Sequence, residues 1–161
     1  MASNVLFLMV DQMQGRILDP DSPCRTPNLD RLAERGVRFT RATTANPVCS
    51  PARASLMTGL LPHNHGVTQV THTDPLGHIQ LCNDRPHWAQ RLTAAGYRTA
   101  YFGKWHVEQT EEPQRFGWQT DVSTHSQAFQ QRTQESRRRD DLVMAVHHDG
   151  PLVRRPARDQ R

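Results

Sequence analysis

The chain opens with an apolar run that stops abruptly at an acidic residue. Residues Val5 to Val10 are all apolar, and Asp11 follows directly. Such a run is typical of a strand buried on both faces, as in a parallel sheet. It is shorter than the roughly 20 residues that span a bilayer, and it lacks the basic flank and cleavage site of a signal peptide. We expect a central strand ending at Asp11, no membrane partner and, by default, a cytoplasmic location.

Proline and glycine delimit three predicted helices in the following sequence. Proline is favoured in the first helical turn and glycine just past the last one. The predicted helices run from such prolines to such glycines: Pro27–Gly36, Pro51–Gly59 and Pro86–Gly96. Further strands are predicted at Val37–Ala42 and Tyr97–Phe102. This order of strands and helices indicates an α/β fold with a mostly parallel sheet and a functional site at its carboxyl edge.

The positive charge of the chain is concentrated toward its end. Lys+Arg is 20 and Asp+Glu is 16, and residues 123–161 hold 8 of the basic and 5 of the acidic side chains. This segment is rich in Gln and Arg, a composition typical of poor order. We predict a folded portion over residues 1–122 and a disordered or irregular tail over 123–161. Because Arg137–Arg139 lacks interleaved aromatic residues, no nucleic-acid partner is expected; a basic binding protein acting through this tail is an alternative function.

A cysteine precedes the second predicted helix and an arginine follows within one turn of it. In Cys49-Ser-Pro-Ala-Arg53 the cysteine would face unpaired backbone N–H groups at the positive end of the helix dipole. That position favours a thiolate or a bound oxyanion. A buried structural cysteine is the alternative interpretation of these five residues.

Four segments together resemble the sulfatase family of the alkaline phosphatase superfamily. Cys49–Gly59 resembles the first sulfatase signature, and Gly96–His106, which ends Gly-Lys-Trp-His, resembles the second. Asp11-Gln12 after the opening strand is similar to the metal-binding segment of the family, and Pro27–Phe39 is also family-like. The resemblance implies the amino-terminal portion of a sulfatase catalytic domain, with part of an α/β sandwich.

The resemblance also implies a catalytic role for each matching residue. Cys49 would be oxidised by a formylglycine-generating enzyme to formylglycine, the nucleophile in the hydrolysis of a small-molecule sulfate ester. Arg53 would hold the hydrated aldehyde and stabilise its alkoxide. Lys104, the one lysine of the chain, and His106 would bind sulfate oxygens.

The metal segment departs from the family pattern. Asp11 and Gln12 would ligate calcium or magnesium, both of which prefer oxygen ligands, but the family often has a second aspartate where Gln12 stands. This departure leaves a phosphonate or phosphate ester hydrolase open as an alternative function. No later metal pair is recognised, since His147-His148-Asp149-Gly150 lies too early and in the wrong context. The sequence therefore predicts a truncated and inactive sulfatase, or one completed by a partner chain.

Overall fold

The computed structural model of the chain describes residues 3–73, 79–82 and 86–138. The described α-helices are α1 (Pro27–Arg35), α2 (Cys49–Thr58), α3 (Pro62–His65), α4 (Trp88–Ala94) and α5 (Gln127–Arg138). The strands are β1 (Ala100–Gly103) and β2 (Thr120–Ser123), and short 3-10 turns lie at Gly15–Leu18, Thr71–Thr73 and Pro113–Phe116. No helix within these ranges is long and apolar enough to cross a bilayer.

The two strands form a small parallel sheet, as the sequence predicted for this fold class. Ala100 pairs with Thr120 and Gly103 with Ser123, and the Thr124 N–H donates to the Gly103 carbonyl at 3.0 Å. Both strands therefore end at the same edge of the sheet. Lys104 emerges from this edge directly after β1.

The hydrophobic core lies where α2 and α4 pack near the sheet and the loops that follow it. Its buried apolar residues are Ala54, Met57, Val67, Leu81, Ala89, Trp105, Val107, Phe116 and Trp118. Aromatic rings meet edge to face within it: the Tyr101 ring centroid lies 5.0 Å from that of Trp105 and 5.2 Å from that of Trp118. Such pairs stabilise a core beyond the area that they bury.

Helix α2 begins two residues earlier than its proline predicts. Val48 is extended, and its carbonyl accepts the first helical hydrogen bond, from the Ala52 N–H at 3.0 Å. Pro51 fits because the first-turn N–H groups have no partner within the helix. The helix ends where Gly59 adopts φ of 72° and donates its N–H to the Ser55 carbonyl at 2.8 Å. Cys49 is thus itself the first helical residue.

The predicted strand over residues 5–10 is wrong. These residues form no strand and their side chains are exposed. A strand buried on both faces needs ladder partners beside it, and in the described part of the chain the sheet consists of β1 and β2 alone. The predicted strand at Val37–Ala42 is wrong for the same reason, and Phe39 in it is exposed.

Helix α5 lies within the segment that the sequence predicts as an irregular tail. Ser126 precedes the helix, and its hydroxyl accepts a hydrogen bond from the Phe129 N–H at 3.2 Å. This is the usual N-cap contact, which satisfies one of the unpaired N–H groups of the first turn. The predictions for residues 139–161, including Arg139 and the His147-His148 segment, lie outside the described residues.

Candidate functional site

Helix α2 supplies two of the predicted site residues from one end. Cys49 is a free thiol of intermediate exposure in the first turn. Helix geometry leaves the N–H groups of Cys49 and Ser50 without a partner inside the helix, while Pro51 has no N–H to offer. Arg53 lies one turn further, with its side chain only 7% exposed. A partly exposed cysteine thus lies one helical turn before a buried cation, at the end of α2 whose first N–H groups have no helical partner.

The structure brings Asp11, Arg53 and Lys104 into direct contact, although they are far apart in the sequence. Lys104 Nζ lies 2.8 Å from Asp11 Oδ2, and Arg53 Nη2 lies 3.3 Å from the same oxygen. The side chains of Asp11 and Lys104 are 41% and 19% exposed. Two cations around one carboxylate leave a net positive charge, which is suited to an anionic group arriving from solvent.

The backbone after β1 is held so that the Lys104 side chain reaches Asp11. The Lys104 carbonyl accepts hydrogen bonds from Arg53 Nη1 at 2.6 Å and from the Tyr101 hydroxyl at 2.5 Å. Burial raises the pKa of that hydroxyl, so it remains a donor at neutral pH. Arg53 therefore positions Lys104 through its backbone and pairs with Asp11 through its other nitrogen.

The same contacts change the ionisation of Asp11. The hydrogen bond from Lys104 lowers its pKa most. Burial is the next largest effect and raises the pKa, but the positive charges of Lys104 and Arg53 add to the lowering, and the net pKa is below its ordinary value. Asp11 is therefore ionised throughout the neutral range.

Asp11 and Gln12 fit a divalent cation in the type of their donor atoms but not in number. Both offer side-chain oxygens, and Gln12 adopts φ of 59° beside Asp11. Calcium requires six or more oxygen ligands. The one carboxylate of the pair is already neutralised by two neighbouring cations. These two residues alone do not make a complete cation site.

His106 is buried two residues beyond Lys104, and its ring lies against a different group of side chains. The imidazole stacks on that of His72, with the ring centroids 4.5 Å apart. Its backbone N–H donates to Glu111 Oε2 at 3.0 Å. Sequence reasoning missed His72 and Glu111, because single residues in separate loops form no recognisable spacing.

A second histidine, His65, lies beside a hydroxyl but is not arranged to activate it. Its Nδ1 accepts the Val67 N–H at 3.1 Å, so its proton is on Nε2, which lies 3.0 Å from Ser55 Oγ. The imidazole therefore donates to the hydroxyl and cannot take its proton. Burial lowers the pKa of His65, and this pair ties α2 to α3.

Comparison with known proteins gives consistent matches. The sequence model of the family described as Sulfatase matches residues 3–145. The chain is 38% identical over 107 residues to an ulvan-active sulfatase of Formosa agariphila, covering 65% of this chain and 20% of the relative. It is 37% identical over 134 residues to a choline-sulfatase of Rhizobium meliloti, covering 73% and 25%. A solved structure of the yidJ protein of Bacteroides fragilis is 42% identical, with a TM-score of 0.49 over 54% of this chain and 19% of that one.

The chain spans about a fifth to a quarter of the length of these curated relatives. The family model, by contrast, covers well over half of the chain and includes Asp11, Cys49, Arg53, Lys104 and His106. On that match, the chain belongs to the sulfatase family.

Proposed function

We propose that the chain carries part of the active site of a sulfuric ester hydrolase whose nucleophile derives from Cys49. The observation that supports this most is the contact of Asp11, Arg53 and Lys104 at the sheet edge, with Cys49 one turn from Arg53. These residues come from three separate segments that each resemble the family. A site built for sulfate needs such clustered cations beside a nucleophile.

Cys49 is proposed to be converted to formylglycine by a formylglycine-generating enzyme. The hydrated aldehyde supplies one hydroxyl that displaces the alcohol from sulfur, and a second whose deprotonation expels sulfate and restores the aldehyde. The intermediate exposure of Cys49 admits a substrate. Its place in the first turn of α2 directs the backbone N–H groups of Cys49 and Ser50 toward developing negative charge.

The neighbouring cations have separate proposed roles. Arg53 is buried and held at two points, so it orients the modified side chain and stabilises an alkoxide there. Lys104 is more exposed, and its ammonium would exchange part of its contact with Asp11 for a sulfate oxygen. His106 is proposed as a further donor to sulfate. Charge-assisted donors of this kind act most strongly as charge develops in the transition state.

Asp11 and Gln12 are proposed as two of the ligands of a calcium or magnesium ion, with the remaining ligands supplied from outside the described residues. When bound, a divalent cation would polarise the sulfate group.

The cytoplasmic location stays a prediction.

The modification of Cys49 is tested by mass spectrometry. The chain is expressed with and without a formylglycine-generating enzyme, and tryptic peptides that contain Cys49 and Cys82 are compared. We expect peptides with residue 49 to lose the thiol and to appear as aldehyde or hydrate only with the enzyme. Cys82, an exposed free thiol outside the motif, is the internal control. Unmodified Cys49 in both samples would contradict the proposal.

The substrate class is tested by matched aryl sulfate and aryl phosphonate esters. The competing substrate is a phosphonate or phosphate ester, an alternative that rests on the departure of Gln12 from the aspartate common in the family. We expect sulfate to be preferred in a full-length relative carrying Asp-Gln at this position.

The 161-residue chain alone is expected to be inactive, and metal-dependent turnover that Cys49→Ala abolishes would contradict this expectation.

A further inference from the structure

Strand β1 carries a tyrosine whose hydroxyl turns back to the chain three residues later. The Tyr101 hydroxyl donates to the Lys104 carbonyl at 2.5 Å. We propose that Tyr101 is a positioning residue for Lys104: by fixing the backbone of the lysine, it directs the ammonium group toward Asp11 and toward an incoming sulfate group. The part of this role that concerns sulfate rests on the proposed function.

The backbone that leads into Lys104 is not fixed by a side chain. Gly103 ends β1 with φ of 93°, which glycine adopts without strain, and a Cβ there would meet nothing within 4 Å. Gly103 and Ser123 form the last ladder pair of the sheet, so Lys104 already lies beyond the paired strands. The direction in which Lys104 leaves the strand is therefore set in large part by the hydrogen bonds that its carbonyl accepts.

Two donors hold this carbonyl, and they come from different elements. Arg53 Nη1, from α2, lies 2.6 Å from the Lys104 oxygen, and the Tyr101 hydroxyl, from β1, lies 2.5 Å from it. A carbonyl oxygen has two lone pairs, so the two donors together can use both. With Arg53 alone the peptide plane could turn about a single hydrogen bond, whereas two donors fix its orientation. The contribution of Tyr101 is thus separate from that of Arg53.

The Tyr101 ring is held in place by the core. Its centroid lies 5.0 Å from that of Trp105 and 5.2 Å from that of Trp118, and both contacts are edge to face. Burial raises the pKa of the hydroxyl, so it keeps its proton and donates at neutral pH. A donor on a packed ring has little freedom to move, which is what the support of a functional side chain requires.

The competing interpretation is a core tyrosine whose hydroxyl bonds the nearest carbonyl and has no effect on the lysine. In that case removal of the hydroxyl would lower the stability of the fold but leave the Lys104 ammonium in place, 2.8 Å from Asp11 Oδ2. The two interpretations therefore differ in the fate of this ammonium group. Because Lys104 is the one lysine of the chain, its side chain can be observed without overlap.

The experiment labels the purified chain with carbon-13 and nitrogen-15 lysine and records the NMR signals of the Lys104 side chain. Tyr101→Phe removes the hydroxyl and keeps the ring in its contacts with the two tryptophans. Tyr97→Phe is the matched control, since it removes the hydroxyl of the other tyrosine of the chain. Asp11→Ala gives the reference signals of Lys104 without its carboxylate partner. Near-ultraviolet circular dichroism reports the packing of the aromatic core in each variant.

We expect Tyr101→Phe to move the Lys104 signals toward those of Asp11→Ala. Exchange of the ammonium protons with water should become roughly fivefold faster, because their hydrogen bond to Asp11 is weakened. Tyr97→Phe should change neither quantity. Both Tyr101→Phe and Tyr97→Phe are expected to keep the near-ultraviolet spectrum of the unaltered chain.

Three results would overturn the proposal. The first is a Tyr101→Phe chain whose Lys104 signals and exchange rate equal those of the unaltered chain, even if its stability is lower. The second is an equal change in Tyr97→Phe. The third is a change in Tyr101→Phe that comes only with loss of the near-ultraviolet spectrum, since the lysine would then respond to unfolding of the core. No substrate and no modified Cys49 are used, so any of these results would leave the proposed function untouched.

Discussion

The Asp11 carboxylate lies between two cations, and this position makes its pKa a direct measure of the site. Lys104 contributes the largest lowering of that pKa, through a hydrogen bond at 2.8 Å. We expect Lys104→Met to raise the pKa of Asp11, because the largest cause of its lowering is removed. A carbon-13 NMR titration of the carboxylate would measure the change.

A matched control uses the pair of Arg38 with Asp19, which lie 2.7 Å apart elsewhere on the surface. Arg38→Met should leave the pKa of Asp11 unchanged. Because the pKa of Asp11 is lowered by folding, its ion pairs stabilise the fold above the ordinary pKa of an aspartate and lose that effect as pH falls through the folded value. An unchanged pKa in Lys104→Met would mean that the contact does not persist in solution.

The sequence predicted the individual residues of the site better than their contacts. Asp11, Arg53 and Lys104 were each predicted by motifs that resemble one family, and the structure brings the three together. Their catalytic roles stay predictions. The contact of the Tyr101 hydroxyl with the Lys104 carbonyl and the pairing of His72 with Glu111 could not be predicted. Both depend on tertiary packing, which leaves no local pattern in the sequence.

Among the elements, the helices follow the sequence more closely than the strands. A helix satisfies its own backbone, so proline and glycine signals are sufficient to locate α1, α2 and α4 within a few residues. A strand depends on a partner that may be distant in sequence. The apolar run before Asp11 therefore has the composition of a strand but forms none in the described part of the chain. The second strand, β2, has only four residues, and its pattern was too weak to be predicted.

The connection between β1 and β2 approaches the backbone of α4 closely, and this contact can be tested by adding one methyl group. Gly117 follows the 3-10 turn with φ of 94°, and a Cβ there would lie 2.6 Å from the Gln90 backbone nitrogen. Gly96 has a similar φ of 85°, but a Cβ there would meet nothing within 4 Å. Both alanine variants carry the cost of a left-handed backbone, about 1–2 kcal/mol.

We expect Gly117→Ala to be the more destabilising of the two by a further 1–3 kcal/mol or so, because the backbone of α4 must move. Urea unfolding of Gly117→Ala and Gly96→Ala would measure the difference directly. Equal stabilities of the two variants would show that α4 does not pack against this turn as described.

At the scale of the whole molecule, the core is built from aromatic rings around buried histidines. His87 stacks on Phe116, with centroids 4.4 Å apart, and on Trp105 at 6.2 Å. Imidazole rings are buried in a core in their neutral form, because the free-energy cost of burying a charge exceeds the stabilisation gained from packing the ring. The stability of the whole fold is thereby linked to pH.

Burial lowers the pKa of His87 from 6.5 to about 4. Below pH 6.5 the unfolded chain takes up a proton at this residue and the folded chain does not, so stability falls as pH decreases toward the folded pKa. The complete effect is on the order of 3 kcal/mol. Burial also lowers the pKa of His65, and this acts in the same direction.

We expect the free energy of unfolding of the unaltered chain to drop between pH 7 and pH 4.5. In His87→Asn this drop should be smaller, even if the variant is less stable at pH 7 because it packs less well. Denaturant unfolding at several pH values measures this difference, with the exposed His63→Asn as control. If His87→Asn and the unaltered chain lost the same free energy over this range, His87 would have to be accessible to protons in the folded state.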